Sequence, residues 1–131
     1  MGPAELERRL RDVTVSAPEE VIAVYLYGSQ ARGTASPRSD VDLGLLLRSA
    51  PASGLRSRAR DLEAAIERAL GLPVEAVVLN TAPADLVHRV LRDGVLYLDR
   101  DRPARLRFEV QSRNEYFDLA PLRRLYRRLR A

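Results

Sequence analysis

The most constraining feature of this 131-residue chain is a polar stretch, residues 28–42, that separates two apolar runs. The stretch begins with Gly28-Ser29 and ends with the acidic residues Asp40 and Asp42, and ten residues lie between the two motifs. The flanking runs, residues 21–27 and 41–47, are apolar and have the length of strands. The pattern therefore predicts two buried strands whose connection carries the polar chemistry.

The acidic pair indicates a metal site. On a strand, residues two apart point to the same face, so Asp40 and Asp42 would lie roughly 6–7 Å apart. Two such carboxylates repel each other unless a cation lies between them. Hard oxygen ligands suit Mg²⁺, which completes its shell with water and substrate phosphates. The plainer alternative is that Asp40 caps a turn and Asp42 is an exposed strand residue.

The Gly-Ser pair indicates a phosphate site. Gly28 allows the backbone to approach an anion closely, and Ser29 stands where a helix is predicted to begin, which favours phosphate. The alternatives are a tight turn for Gly28 and a simple helix cap for Ser29. Together the two motifs predict phosphates that face a pair of metal ligands.

The spacing Gly-Ser-x10-Asp-x-Asp resembles the signature of the DNA polymerase β-type nucleotidyltransferase superfamily. With Ala31-Arg32-Gly33 and Ser39 in place, the chain is most similar to the minimal nucleotidyltransferases, or MNT proteins. Many of these are the antitoxins of bacterial HEPN/MNT toxin–antitoxin pairs. The resemblance covers about residues 20–120 and implies an α/β fold, with a small mixed β-sheet covered by helices.

The resemblance also implies a reaction and a set of site residues. The expected reaction transfers AMP from MgATP to a protein hydroxyl, a tyrosine of a cognate HEPN toxin, which that transfer inactivates. The residues expected to bind metal and act in catalysis are Asp40, Asp42 and Glu75. The residues expected to bind nucleotide are Gly28, Ser29, Arg32 and Ser39.

Glu75 departs from the family pattern in its residue type. It is the only acid in the predicted strand 74–79, where the family has a third acidic residue. That residue is commonly Asp, and glutamate is one methylene longer. Glu75 would serve the acceptor side of the site, either as a metal ligand or as the acceptor of the nucleophile's proton. The alternative is an exposed strand residue.

Two other functions stay open. A catalytically quiet antitoxin would neutralise its partner by binding alone; Glu75 in place of Asp supports this reading, and intact Asp40 and Asp42 oppose it. A small-molecule nucleotidyltransferase is the other alternative. The relatives that modify small molecules usually carry a second domain, and 131 residues leave no room for one. The expected organisation is one domain, residues 1–131.

The composition of the chain bears on its expected compartment and on the role of its C-terminal tail. The chain has no cysteine, no apolar run near the ~20 residues of a membrane span, and no signal-peptide core, so the expected compartment is the cytoplasm. Residues 121–131 hold five arginines and no acid. Such a tail could bind nucleic acid, but Leu122, Leu125, Tyr126 and Leu129 recur at helical spacing. A basic C-terminal helix that faces solvent or a partner is therefore favoured over nucleic-acid binding.

Periodicity predicts the remaining elements. Helices are expected on the apolar face Leu6, Leu10 and Val13 and over residues 54–70, and a short strand over residues 95–98. Thr81 is expected to cap a helix with Pro83 in its first turn.

Proline residues bound the last long helix. Pro103 is expected to open it and Pro121 to end it, with Leu106, Val110 and Phe117 as its buried face. The lone histidine, His88, and the strand residues Tyr25 and Tyr27 are expected to be structural.

Overall fold

The computed structural model describes residues 2–33, 40–49 and 55–130. Within these ranges four strands alternate with helices, as expected for an α/β fold with a small mixed sheet. The elements are α1 (Pro3–Thr14), β1 (Val21–Tyr27), α2 (Gly28–Arg32), β2 (Val41–Leu47), α3 (Leu55–Leu70), β3 (Val74–Val78), a 3₁₀ turn (Leu79–Thr81), α4 (Ala84–Asp93), β4 (Val95–Asp99), α5 (Arg102–Asp118) and α6 (Ala120–Arg130). None of the described helices is both long enough and apolar enough to cross a membrane.

The strands form one sheet in the order β3-β2-β1-β4. β1 pairs antiparallel with β2 and β4, whereas β2 and β3 are parallel. A parallel pair needs a crossover connection, which the long helix α3 supplies. The predicted strand boundaries of β1 and β2 are confirmed.

Helices cover both faces of the sheet. On one face, called the α1/α3 face, Leu10 and Ile66 pack with strand residues such as Val24 and Leu43. On the other, the α4/α5 face, Val87 and Val90 of α4 and Phe108 of α5 pack with Tyr25 and Leu46. Both central strands are therefore buried on both sides, which explains why β1 and β2 are almost uniformly apolar.

The outer strand β3 is held along its free edge by side chains of α3. Glu67 accepts a hydrogen bond from the backbone N–H of Val74, and Glu63 accepts one from Ala76, each at 2.9 Å. These bonds satisfy donors that would otherwise attract another strand. They also fix the position of Glu75, which lies between the two bound residues.

The start of α4 differs from the prediction. β3 ends at Val78 rather than Leu79, and Thr81 lies in the 3₁₀ turn instead of capping the helix. Pro83 occupies the N-cap position, with no side-chain hydrogen bond, and α4 begins at Ala84. The extra turn forms because Asn80 pairs with both backbone groups of Leu47, at 2.8 and 2.9 Å, and draws the chain back to β2.

The predicted buried face of α5 is wrong. Leu106, Val110 and Phe117 are 41%, 54% and 62% exposed. The helix begins at Arg102, one residue before the predicted start, because Asp101 caps it by accepting a hydrogen bond from the N–H of Ala104 at 3.1 Å. The predicted break before the tail is confirmed, since α5 ends at Asp118.

The buried side of α5 is partly ionic. Glu109 accepts a hydrogen bond from the Tyr25 hydroxyl at 2.7 Å and from Arg105 at 3.0 Å. Arg105 also lies 3.0 Å from Asp99 of β4. These charges compensate one another, so α5 packs on the sheet through residues that a hydrophobic pattern assigns to the surface.

We expect Tyr25→Phe to lower the free energy of unfolding by about 2 kcal/mol, because it removes a buried hydrogen bond to a carboxylate. Burial first, and then Glu109, raise the pKa of Tyr25 well above its usual value. This contribution to stability is therefore complete below the unfolded tyrosine pKa of about 10 and declines as the pH rises beyond it.

Urea denaturation at pH 7 and at pH 11 measures both effects. Tyr97→Phe is the matched control, since that half-buried ring contacts Arg11 through its face, at 4.9 Å; it should cost about 0.5 kcal/mol or less. Equal losses in the free energy of unfolding for Tyr25→Phe and Tyr97→Phe would show that the Tyr25–Glu109 hydrogen bond does not stabilise the fold.

Candidate functional site

Three polar side chains lie side by side on neighbouring strands, at the end of β1 and near the beginnings of β2 and β3. In the antiparallel pairing of β1 with β2, Tyr27 stands opposite Asp42. In the parallel pairing of β2 with β3, Asp42 stands opposite Glu75. Neighbouring strands are about 4.8 Å apart, so the three residues form one row, called here the acid row.

All three members of the acid row belong to the α4/α5 face. Asp42 alternates with Val41 and Leu43, which belong to the α1/α3 core. Glu75 likewise alternates with Val74 of that core, and Tyr27 packs against the opposite cluster. Because side chains alternate along a strand, the two carboxylates emerge together on the side of the sheet that carries α4. Asp42 is half-buried and Glu75 is exposed.

Gly28 packs its backbone against the acid row. It has a φ of 74°, which glycine adopts readily and other residues rarely do. A Cβ atom at this position would overlap the Oδ2 atom of Asp42. The turn from β1 into α2 therefore passes directly over the carboxylate, and only glycine allows that approach.

The carboxylates of the acid row make the local electrostatic potential negative, and this affects the pKa of a neighbouring group. The pKa of Tyr27 is raised, first by burial and then by the charges of Asp42 and Glu75. Arg89 of α4 acts in the opposite sense and lowers it. A cation placed at the row would thus be attracted by two carboxylates, while Arg89 offers a positive charge on the α4 side.

The structure brings together some of the predicted site residues. Gly28, Asp42 and Glu75 are adjacent, whereas Asp40 is exposed and lies immediately before β2. Ser29 and Arg32 lie in α2, and their side chains are outside the described part of the structure. Ser39 is also outside the described residues.

The donor set of the row fits a hard divalent cation. Within residues 2–33, 40–49 and 55–130, no three acidic, histidine or cysteine side chains are grouped closely enough to hold a metal by themselves. Asp42 and Glu75 supply carboxylate oxygens from adjacent strands, and Mg²⁺ commonly uses one or two carboxylates together with water and phosphate oxygens. Asp42 and Glu75 could therefore supply part of a coordination shell.

Sequence reasoning missed the position of two residues. Tyr27 was expected to be structural, but it stands in the acid row beside Asp42. The available signal was its place immediately before Gly28, at the end of a strand. Arg89 gave no signal, because only the packing of α4 against β1 and α2 brings it near this row.

The sequence model of the family described as "Polymerase beta, Nucleotidyltransferase" matches residues 10–103 of the chain. This match includes the acid row, Gly28 and Arg89. No curated protein sequence is significantly similar to the chain.

Solved structures share the fold. A chain from the crystal structure of a toxin–antitoxin complex with AMP-PNP aligns with a TM-score of 0.78 and 21% identity, covering 95% of this chain and 98% of that one. A chain from the Shewanella oneidensis complex of a tri-AMPylated HEPN toxin with an MNT antitoxin gives 0.74 and 18%, covering 99% and 100%. A protein described as a minimal nucleotidyltransferase gives 0.62 and 28%, covering 72% and 95%.

We expect Gly28→Ala to destabilise the fold more than Gly71→Ala does. Both glycines have a φ near 70°, but an added Cβ meets nothing within 4 Å at Gly71 and overlaps Asp42 at Gly28. The backbone strain of about 1–2 kcal/mol is common to both. Displacing the Asp42 carboxylate should add about 1 kcal/mol or more to the loss at Gly28.

Chemical denaturation of the two variants measures this difference directly. If both lost the same stability, the close packing of Gly28 on Asp42 would be contradicted.

Proposed function

Because the chain belongs to the polymerase beta nucleotidyltransferase family, whose sequence model matches residues 10–103, we propose that it transfers AMP from MgATP to a protein hydroxyl. The observation that carries the proposal is the acid row beside Gly28. Two carboxylates stand in register on adjacent strands, and the backbone at Gly28 passes close to one of them. This arrangement supports a metal-bound triphosphate.

The two ends of the acid row differ, and we assign them to different parts of the reaction. Gly28 lies at one end, next to Asp42, and Glu75 lies at the other, on the outermost strand of the described sheet. The nucleotide phosphates bind along the backbone of Gly28-Ser29, with Arg32 and Ser39 proposed as further contacts. The acceptor then approaches from the exposed side of Glu75.

Asp42, Glu75 and Asp40 are the residues proposed to hold Mg²⁺. When bound, the metal neutralises phosphate charge and stabilises the attacking and leaving oxygens. Asp42 is central because it lies between the phosphate side and Glu75. Asp40 stands two residues before it and adds a further carboxylate from the chain entering β2.

The proposed reaction is an in-line displacement at the α-phosphorus. The acceptor oxygen forms a bond to that phosphorus, the bond to the bridging oxygen breaks, and pyrophosphate leaves. Glu75 would serve the attacking hydroxyl, either by holding the metal on the acceptor side or by accepting the proton that the hydroxyl loses. Positioning supplies most of the rate enhancement in such reactions, so the fixed register of β2 and β3 is the main contribution of the fold.

The proposed acceptor is a tyrosine of a HEPN toxin, and the proposed role is that of its antitoxin. Structures of the same fold come from a complex with a tri-AMPylated HEPN toxin and from a toxin–antitoxin complex with AMP-PNP. The exposure of Glu75 supports a macromolecular acceptor, since the described chain places nothing over that end of the row.

Glu75→Gln should bind MgATP with nearly wild-type affinity, because Glu75 serves the attacking oxygen and not the triphosphate. It should transfer AMP about 100-fold more slowly, since the amide lacks the charge that would hold the acceptor-side metal and cannot accept the hydroxyl's proton. Glu75→Asp should retain part of the activity, because a carboxylate remains. Calorimetry measures binding, and single-turnover assays with labelled ATP measure transfer. If Glu75→Gln transferred AMP as fast as wild type, Glu75 would be an ordinary surface residue of β3.

The proposed function predicts that a HEPN-type protein is encoded beside this gene, and co-expression of the chain with that protein is the test. In the presence of MgATP, intact-mass spectrometry should show the partner heavier by one AMP, about 329 Da, or by a short run of AMP units. Peptide mapping should place the modification on tyrosine. The Asp42→Asn chain should leave the partner unmodified.

Two outcomes would contradict AMP transfer to the toxin. An unmodified partner, neutralised equally well by wild-type and Asp40→Asn chains, would make the chain a quiet antitoxin. Transfer of AMP to a small molecule, with no HEPN partner bound, would make it a small-molecule transferase.

A further inference from the structure

The C-terminal helix α6 exposes an entire apolar side. Leu122, Leu125, Tyr126 and Leu129 recur every three or four residues, so they share one face of the helix. They are 62%, 52%, 58% and 77% exposed. An apolar face of this kind normally packs on a core, and its exposure indicates a surface for another molecule.

This face forms one wall of a groove. The other wall is the beginning of α4, with Pro83, Ala84 and Asp85, and the volume of this open groove is about 570 Å³. Leu119, at the junction of α5 and α6, also lines it. The lining is mainly apolar, with Asp85 and two arginines of α6 among it. We call this the α4–α6 groove.

Arg123 of α6 connects this helix to α4 and α5. The guanidinium of Arg123 lies 3.8 Å from the ring centroid of Tyr116 and 3.4 Å from Asp85, and it donates to the Tyr116 carbonyl. The Tyr116 ring also stacks in parallel on His88, with centroids 3.7 Å apart, and meets Phe117 edge to face at 5.6 Å. Arg123 thus connects α6 to both α4 and α5 and helps to position this wall of the groove.

The charges around the α4–α6 groove indicate which kind of molecule binds there. Residues 121–131 contain five arginines and no acid, so two copies of α6 placed face to face would repel each other. A flat bilayer would not fill a concave groove between two helices. An amphipathic helix with an apolar face and acidic flanks matches both the leucines and the arginines.

We propose that the α4–α6 groove binds an apolar, acid-flanked helix of the protein acceptor. The inference rests on the proposed function, because it assigns that acceptor a docking surface. α4 packs on β1 and α2 and lies on the face of the sheet that carries the acid row. A partner seated in the groove is therefore on the same side of the molecule as Asp42 and Glu75.

The test measures the affinity of the full-length chain for the HEPN-type partner that the proposed function predicts. The double variant Leu125→Glu/Leu129→Glu should bind about 100-fold more weakly, because it places two carboxylates in an apolar contact that acidic groups already flank. Val110→Glu is the matched control: it is 54% exposed on α5 and lies outside the groove, and it should bind normally. Circular dichroism confirms folding of each variant.

Charge reversal provides a second measurement that leaves the leucines in place. Arg127→Glu, which changes an arginine that lines the groove, should weaken binding about tenfold or more and reduce its salt dependence, since the acidic flank of the partner then loses its attraction. Reversing the exposed Arg60 of α3 changes the net charge equally and should have little effect.

The outcomes separate this inference from the proposed function. The groove assignment would be overturned if both groove variants kept their affinity for the partner, or if the Val110→Glu control lost affinity equally. Neither result would contradict AMP transfer. The assignment would also be overturned by a wild-type dimer that Leu125→Glu/Leu129→Glu dissociates, or by binding to phosphatidylserine vesicles that this variant abolishes. Groove variants that lose the partner yet bind MgATP normally would support it.

Discussion

Two carboxylates on neighbouring strands, Asp42 and Glu75, stand directly opposite each other in the parallel pairing of β2 and β3. Like charges about 5 Å apart repel by about 1 kcal/mol in water and by more where solvent is excluded. The fold keeps them together because β2 is buried on both faces and because Glu63 and Glu67 bind the outer edge of β3. Because the fold keeps these two like charges close together, the acid row attracts a cation.

Much of the central structure could be predicted from the sequence, for a physical reason. β1 and β2 are buried on both faces, so their apolar runs are continuous and bounded by the polar stretch that joins them. Glu75 could be selected because it is the only acid between apolar residues of its strand. Its register opposite Asp42, however, depends on the crossover through α3, which no local pattern specifies.

The misassigned face of α5 shows where hydrophobic patterns fail. Arg105 and Glu109 occupy buried positions because they bind each other, Asp99 and the Tyr25 hydroxyl. The true apolar stripe of the helix, Leu106, Val110 and Phe117, is exposed instead. Periodicity identifies an apolar face correctly but does not tell whether the domain itself or another molecule covers it.

One part of the chain stabilises the domain and another part is exposed to other molecules. The strands and helices α1, α3, α4 and α5 build the two cores, whereas α6 is attached through Arg123 and leaves its leucines exposed. The acid row is likewise open at Glu75. The exposure of the α6 leucines and of Glu75 fits the proposed protein acceptor. Neither place contributes much to the buried surface of the domain.

The most direct test of the central claim is calorimetric titration of MgATP into wild-type chain, Asp42→Asn and the surface control Asp61→Asn. The account predicts that wild type and Asp61→Asn bind MgATP alike, and that Asp42→Asn loses at least about 100-fold in affinity while keeping its thermal stability, because the substitution removes one of two repelling charges. Equal affinity in all three proteins would contradict the assignment of the acid row as the nucleotide and metal site.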